Sequence, residues 1–80
     1  MEPLGVWIVR TVKGLMPMHV DSSEINLDST WMDTKFDGVD MEDFMEEIKL
    51  RFDIDVPHKI AGGWETLTDT FDYITEKQSA

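Results

Sequence analysis

Apolar side chains recur along this chain at helical spacing in three separate stretches. The first stretch lies between Pro3 and Pro17, and its apolar positions stand three or four residues apart: Leu4, Ile8, Val12 and Leu15 or Met16. Proline is tolerated in the first turn of a helix and cannot continue one. Gly5 and Gly14 weaken a helix here, and residues 6–9 would suit a strand as well. The spacing nevertheless predicts a first helix that ends at Pro17.

The strongest helix signal covers residues 37–52. Asp37 can act as the N-cap and accept a hydrogen bond from a free N–H of the first turn. Acidic residues follow in that turn, and Lys49 and Arg51 fall in the last turn, where the helix dipole favours cations. One apolar stripe has a period close to 3.6 residues, and its members are Met41, Phe44, Met45, Ile48 and Phe52. This pattern predicts a capped helix with one buried face.

The C-terminal third predicts a short turn and a last helix. Residues 53–57 end the second helix, and residues 58–63 can hold one short turn closed by two glycines. Thr66 with Asp69 resembles a capping box. The last helix would bury a stripe of three residues and fray over residues 78–80; the stripe is Leu67, Phe71 and Ile74.

Residues 18–37 form a long connection rich in Asp, Ser, Asn and Thr. A structureless loop of this length is uncommon in a compact domain, so we expect apolar residues to anchor it in the core. The candidates are Val20, Ile25, Leu27, Trp31 and Phe36. Together the elements predict one domain over residues 1–80, an all-α bundle of three long helices and one short helix.

The charge balance narrows the class of partner. Seventeen acidic residues against seven lysines and arginines give this 80-residue chain a net charge of −10. Such a surface repels nucleic acid and anionic lipid and favours proteins with basic patches. The chain has no cysteine, which excludes thiolate chemistry, and no apolar segment long enough to span a bilayer. We therefore expect a monomeric cytoplasmic protein with no nucleic-acid or membrane partner.

The elements at residues 37–40, 52–57 and 71–74 resemble motifs of the acyl carrier proteins. Residues 37–40, Asp-Gly-Val-Asp, are similar to the family's Asp-Ser-Leu-Asp motif at the start of its second helix. Residues 52–57, Phe-Asp-Ile-Asp-Val-Pro, are similar to its Phe-Asp-(Thr/Ile)-Glu-Ile-Pro element, and residues 71–74, Phe-Asp-Tyr-Ile, to its closing Ile-Asp-Tyr-Ile. The match keeps the family's register from Gly38 to Ile74 without a gap. The segment from Trp31 to Gly38 is one residue short.

Gly38 is the main departure from the family pattern. In the family the motif serine carries 4′-phosphopantetheine through a phosphodiester, and the N–H groups of the helix start stabilise the phosphate. Glycine has no side-chain oxygen, so we expect no cofactor unless Gly38 were serine. The glycine is either native or a replacement of that serine. Ser29 follows an aspartate but precedes no amphipathic helix, and Ser22 and Ser23 are turn residues by context.

The family docks its enzymes through the second helix, so the resemblance also implies a partner-binding face. Its residues would be Asp37, Val39, Asp40, Glu42, Asp43, Glu46, Glu47 and Leu50. Val39 and Leu50 lie off the buried stripe and are either incidental exposed residues or partner contacts. The implied partners are synthase or acyltransferase-type enzymes, although Lys49 and Arg51 depart from the family's acidic pattern.

Other site chemistries fit the sequence poorly. A calcium loop that begins at Asp33 would place Lys35 third and Phe44 twelfth, where oxygen ligands are required. His19 and His58 are isolated, so we predict no metal site and no catalytic residue. The tryptophans are expected in the core or at its edge; they are Trp7, Trp31 and Trp64.

The preferred hypothesis is a carrier-like docking or regulatory module of fatty-acid or polyketide-type synthesis that is not an enzyme. One alternative is a genuine carrier whose serine has been replaced by glycine. The other is a protein-interaction module on the same fold, unrelated to acyl metabolism.

Overall fold

The computed structural model describes residues 2–79, which form four helices joined by loops. These are α1 (Leu4–Leu15), α2 (Gly38–Phe52), α3 (His58–Ala61) and α4 (Leu67–Ser79). α1 packs against both α2 and α4. The predicted all-α architecture of three long helices and one short helix is confirmed. Among the described residues, no helix combines the length and the apolar character needed to cross a bilayer.

The first two helices end where the sequence signals place their ends. α1 stops at Leu15, and Met16 adopts extended backbone (φ −64°, ψ 149°) because the residue before a proline disfavours helical angles. α2 stops ahead of Asp53, which takes a left-handed conformation (φ 57°, ψ 40°). The Asp53 N–H then donates to the Lys49 carbonyl at 2.9 Å and closes the last turn.

The start of α4 agrees with prediction and its end does not. Asp69 accepts a hydrogen bond from the Thr66 N–H at 3.1 Å, which forms this half of the predicted capping box. The predicted fraying over residues 78–80 is wrong for the first two of them, because α4 continues through Ser79. The Ser79 hydroxyl donates to the Thr75 carbonyl at 3.0 Å and satisfies it within the last turn. The final residue of that range lies outside the described part of the chain.

The core is built from the predicted apolar stripes. Phe44 is fully buried, and its ring centre lies 5.4 Å from that of Trp31 and 6.2 Å from that of Trp7. It therefore joins α2 to α1 and to the long loop. The buried apolar residues are Trp7, Ile8, Val12, Met16, Ile25, Trp31, Phe44, Ile48, Val56, Ala61, Leu67 and Ile74.

Hydrogen bonds hold the long loop to the start of α4. The Trp31 indole N–H donates to the Thr66 carbonyl at 3.0 Å, and the Trp31 backbone N–H donates to the Glu65 carbonyl at 3.0 Å. The Thr68 hydroxyl and N–H both donate to the Leu27 carbonyl, at 2.8 Å and 2.9 Å. The predicted anchoring is confirmed, since the loop's apolar residues are buried or pack against the core: Val20, Ile25, Leu27, Trp31 and Phe36.

Two fully buried threonines differ in their hydrogen bonding. Thr34 Oγ1 donates to the Trp31 carbonyl at 2.6 Å and accepts from the Phe36 N–H at 3.2 Å. Thr70 Oγ1 has no partner within residues 2–79.

A buried hydroxyl without a partner loses its hydration and gains no hydrogen bond, which lowers the stability of the fold by about 1–3 kcal/mol. Thr70→Val should therefore raise the free energy of unfolding by about 1 kcal/mol, measured by urea unfolding and far-UV circular dichroism.

Thr34→Val is the matched control, because it makes the same substitution at a buried hydroxyl that has partners. It should lower the free energy of unfolding by about 1–3 kcal/mol, since the Phe36 N–H would lose its acceptor. If Thr70→Val were destabilising instead, the Thr70 hydroxyl would have to be hydrogen-bonded in solution.

Candidate functional site

The candidate site is the start of α2, where two aspartates cap the helix reciprocally. Asp37 Oδ1 accepts from the Asp40 N–H at 2.9 Å, and Asp40 Oδ2 accepts from the Asp37 N–H at 3.1 Å. The predicted N-cap role of Asp37 is confirmed. Asp40 has a capping role in addition to its expected interaction with the helix dipole. Its spacing of three residues from Asp37 is the spacing of a capping box, and this is the sequence pattern that indicates the role.

Gly38 is the first residue of α2 and is exposed. Apart from its chain neighbours and the adjacent backbone of α2, no heavy atom lies within 4 Å of the position that a Cβ would occupy, and its φ is not positive. Neither crowding nor backbone conformation therefore requires glycine here. The position stands at a helix N-terminus with its free N–H groups and the positive end of the dipole. Because it lacks a side-chain oxygen, it does not fit covalent attachment of 4′-phosphopantetheine.

An apolar cleft of about 510 Å³ opens beside Gly38, between α2, α3 and the long loop. We call it the Gly38 cleft; its apolar lining consists of Trp31, Met32, Phe36, Met41, Met45 and Ala61. A smaller cavity of about 400 Å³ adjoins it and contains charged side chains of α2. Glu42 and His58 line both spaces, and His58 Nε2 lies 3.6 Å from Glu42 Oε1. The residue at position 38 is thus exposed at the edge of an apolar space.

The predicted partner-binding residues divide into cap residues and exposed residues. Asp37 and Asp40 are held in the cap, whereas the others lie along the solvent side of α2. Four of these recur at three- or four-residue spacing and form what we call the outward strip: Val39, Asp43, Glu46 and Leu50. Val39 is 65% exposed and Leu50 is 73% exposed, so both project into solvent. They stand roughly 16 Å apart along the helix, with carboxylates between them and with Glu42 and Glu47 alongside.

The two cations of α2 lie off the outward strip. Lys49 Nζ is 3.2 Å from Asp53 Oδ1 and 3.3 Å from Asp55 Oδ1. Hydrogen bonds to these two carboxylates raise the pKa of Lys49 above its ordinary value. The Arg51 guanidinium lies 6.0 Å from the centre of the Phe52 ring. The outward strip therefore stays acidic despite both departures from the family pattern.

The other candidate residues do not assemble a site. Ser29 lies in a turn, where its hydroxyl accepts from the Asn26 N–H at 3.0 Å, and it starts no helix. Within residues 2–79, no group of three or more Asp, Glu or His side chains is placed to hold a metal ion. Trp7 and Trp31 are buried and Trp64 packs at the core edge, as predicted.

Comparison with known proteins finds acyl carrier proteins among the matches. The acyl carrier proteins of Rickettsia canadensis (strain McKiel) and Rickettsia rickettsii (strain Iowa) are each 35% identical to this chain over 63 residues. The matched region covers 78% of this chain and 73% of each relative. No protein-family model matches the chain, and no solved structure matches it. The relatives are carriers rather than enzymes, which confirms the prediction that this chain is not an enzyme. At this identity and coverage, the chain belongs to the acyl carrier protein family.

Proposed function

We propose that this chain is a carrier-like docking or regulatory module of fatty-acid or polyketide-type synthesis, and that it works without a covalently bound cofactor. The observation that carries the proposal is Gly38, which stands at the exposed, capped start of α2 and offers no oxygen for attachment. Membership of the acyl carrier protein family supports the link to acyl metabolism. The site of action would be the cytoplasm, with the chain as a monomer.

The outward strip of α2 supports the docking part of the proposal. Its carboxylates would attract an enzyme with a basic patch and speed the encounter, an effect that salt reduces. Val39 and Leu50 would then bury apolar surface in the complex, at about 1.5–3 kcal/mol for each side chain fully removed from water. A strip of this kind selects the partner by charge and holds it by apolar contact.

The missing oxygen gives the proposed docking a regulatory consequence. A module that presents the same acidic helix as a loaded carrier, yet brings no thiol arm, would occupy a carrier-binding enzyme without delivering a substrate. Its effect would be competitive and would depend on its concentration relative to that of the loaded carrier. Replacing Val39 and Leu50 by alanine should weaken this competition, because both side chains belong to the outward strip.

The proposal is tested by incubating the chain with a phosphopantetheinyl transferase and coenzyme A and measuring its intact mass. We expect no mass increase, because residue 38 cannot form the phosphodiester. A carrier known to accept the group serves as the positive control in the same tube. An adduct on Ser29 or any other residue of this chain would contradict the proposal.

The alternative of a carrier whose serine has been replaced predicts the same null result in that assay. The two are separated by the codon for residue 38 in the native gene. A serine codon would make the chain a carrier with its attachment point removed, whereas a glycine codon agrees with the proposed module. The codon is the discriminating observation because the backbone at position 38 accepts either residue.

A further inference from the structure

α1 has a second face that is partly exposed, although its Val9 packs against the core. Val6, Val9, Arg10 and Lys13 recur at three- or four-residue spacing, opposite the buried Ile8 and Val12. With Leu27 of the long loop and Phe71 of α4, these four residues line an open groove of about 840 Å³, which we call the α1 groove. Val6 is 53% exposed in it. The α1 groove shares no lining residue with the Gly38 cleft or the cavity beside it.

Gly5 allows the groove to form. A Cβ on Gly5 would stand 3.0 Å from Leu27 Cδ1, closer than ordinary van der Waals contact, and 3.9 Å from Phe71 Cδ2. The absence of a side chain therefore lets Leu27 lie directly against α1. Leu27 and Phe71 thereby form an apolar floor between α1, the long loop and α4. Glycine at position 5 also makes the start of α1 less stable.

The groove contains both cations of α1, in a chain whose net charge is −10. α1 contains no acidic residue, although the chain carries a net charge of −10. Arg10 donates from Nε and Nη2 to the Glu2 carboxylate, which leaves Nη1 without a hydrogen bond among the described residues. Lys13 has no carboxylate within 4.0 Å in residues 2–79. The Asp28 carboxylate also lines the groove and the Glu2 carboxylate pairs with Arg10, so Lys13 is the lining cation without an ion pair among the described residues.

We infer that the α1 groove binds a single-chain anionic amphiphile, with its apolar chain against Val6, Leu27 and Phe71 and its carboxylate head at Lys13 and Arg10. The volume lies within the range of about 300–1,000 Å³ usual for small-molecule sites, which combine apolar walls with a few polar groups. A carboxylate accepts charge-assisted hydrogen bonds from both cations. The chain's net charge opposes a densely anionic bilayer, so the ligand is a free molecule. This inference does not depend on the role proposed for Gly38.

The test is a titration of the full chain with dodecanoate below its micelle-forming concentration, followed by ¹H–¹⁵N NMR. We expect saturable shift changes confined to α1, residues 26–28 and the neighbourhood of Phe71. Dodecyltrimethylammonium, which has the same chain and a cationic head, should bind at least about tenfold more weakly. Shift changes centred on the Gly38 cleft, changes that spread without saturation, or equal affinity for the cationic amphiphile would each overturn the inference.

Matched variants separate the groove from general surface effects. Val6→Glu should weaken dodecanoate binding about tenfold or more, whereas Ile60→Glu, the same kind of change at an exposed site on α3, should leave it unchanged. Lys13→Gln should weaken binding, and Lys59→Gln, which removes a charge from α3, should not. Equal effects within either pair would overturn the inference.

Sedimentation with phosphatidylglycerol vesicles should show no binding. Vesicle binding that Lys13→Gln abolishes would overturn the inference and assign the groove to a membrane surface instead.

Discussion

Phe44→Ala is expected to lower the free energy of unfolding by about 3–5 kcal/mol. Phe44 is fully buried on α2, and its ring packs within 6.4 Å, centre to centre, of three other aromatic rings. Those rings belong to Trp7 on α1 and to Trp31 and Phe36 of the long loop. Truncation would remove the side chain that joins these three parts of the fold, and aromatic rings cannot collapse easily into the space left behind.

The expected loss is large compared with the stability available to this chain. At about 0.05–0.15 kcal/mol per residue, 80 residues give roughly 4–12 kcal/mol in total. Phe44→Ala should therefore lower the melting temperature strongly, and it would leave the chain unfolded if the total lies near the lower bound. Thermal and urea unfolding followed by far-UV circular dichroism measure both quantities.

Two variants on the same helix control for this experiment. Ile48→Ala, at another fully buried position, should cost about 2–5 kcal/mol. Leu50→Ala removes a side chain that is 73% exposed and should change stability by no more than about 0.5 kcal/mol. An unchanged melting temperature for Phe44→Ala, or a larger loss for Leu50→Ala, would mean that the buried stripe of α2 has been assigned to the wrong face.

The local features of the fold were predictable because each depends on residues close together in the sequence. The apolar period in α2 and the cap at Asp37 involve neighbours three or four positions apart, and the structure confirms both. The pair of Lys49 with Asp53 follows the same i, i+4 rule. The candidate attachment position was predictable for the same reason, since the motif is a contiguous run at a helix start.

Features that depend on tertiary placement had no such signal. The hydrogen bond from the Trp31 indole to the Thr66 carbonyl joins residues 35 positions apart, and nothing local marks either partner. The α1 groove was equally hidden, because Val6 and Val9 add apolar residues to a second side of the helix and blur its single stripe. That blurring also made residues 6–9 compatible with a strand. Packing of Leu27 against Gly5 defines the groove only once the fold is known.

Gly38→Ser is expected to convert a chain that accepts no phosphopantetheinyl group into one that accepts it. The new hydroxyl would stand at the first position of α2, where no heavy atom apart from its chain neighbours and the adjacent backbone of α2 lies within 4 Å of a Cβ and the backbone suits an L-residue. The fold should therefore be undisturbed, and the helix N-terminus would favour the attached phosphate. Incubation with the transferase and coenzyme A, followed by intact-mass measurement and peptide mapping, should show one adduct at residue 38.

Gly14→Ser is the matched control, because Gly14 is also a helical glycine with no heavy atom within 4 Å of a Cβ other than those of its chain neighbours and of the adjacent helix backbone. It lies near the end of α1 rather than at a capped helix start, so it should stay unmodified. If Gly38→Ser folds, as circular dichroism would show, and yet gains no adduct, the transferase does not recognise α2. That result would favour an interaction module unrelated to acyl metabolism. The acidic face of α2 would then no longer bind the transferase that modifies carriers, in addition to lacking the attachment serine. Modification of Gly38→Ser alone would mean that one missing oxygen separates this chain from a working carrier.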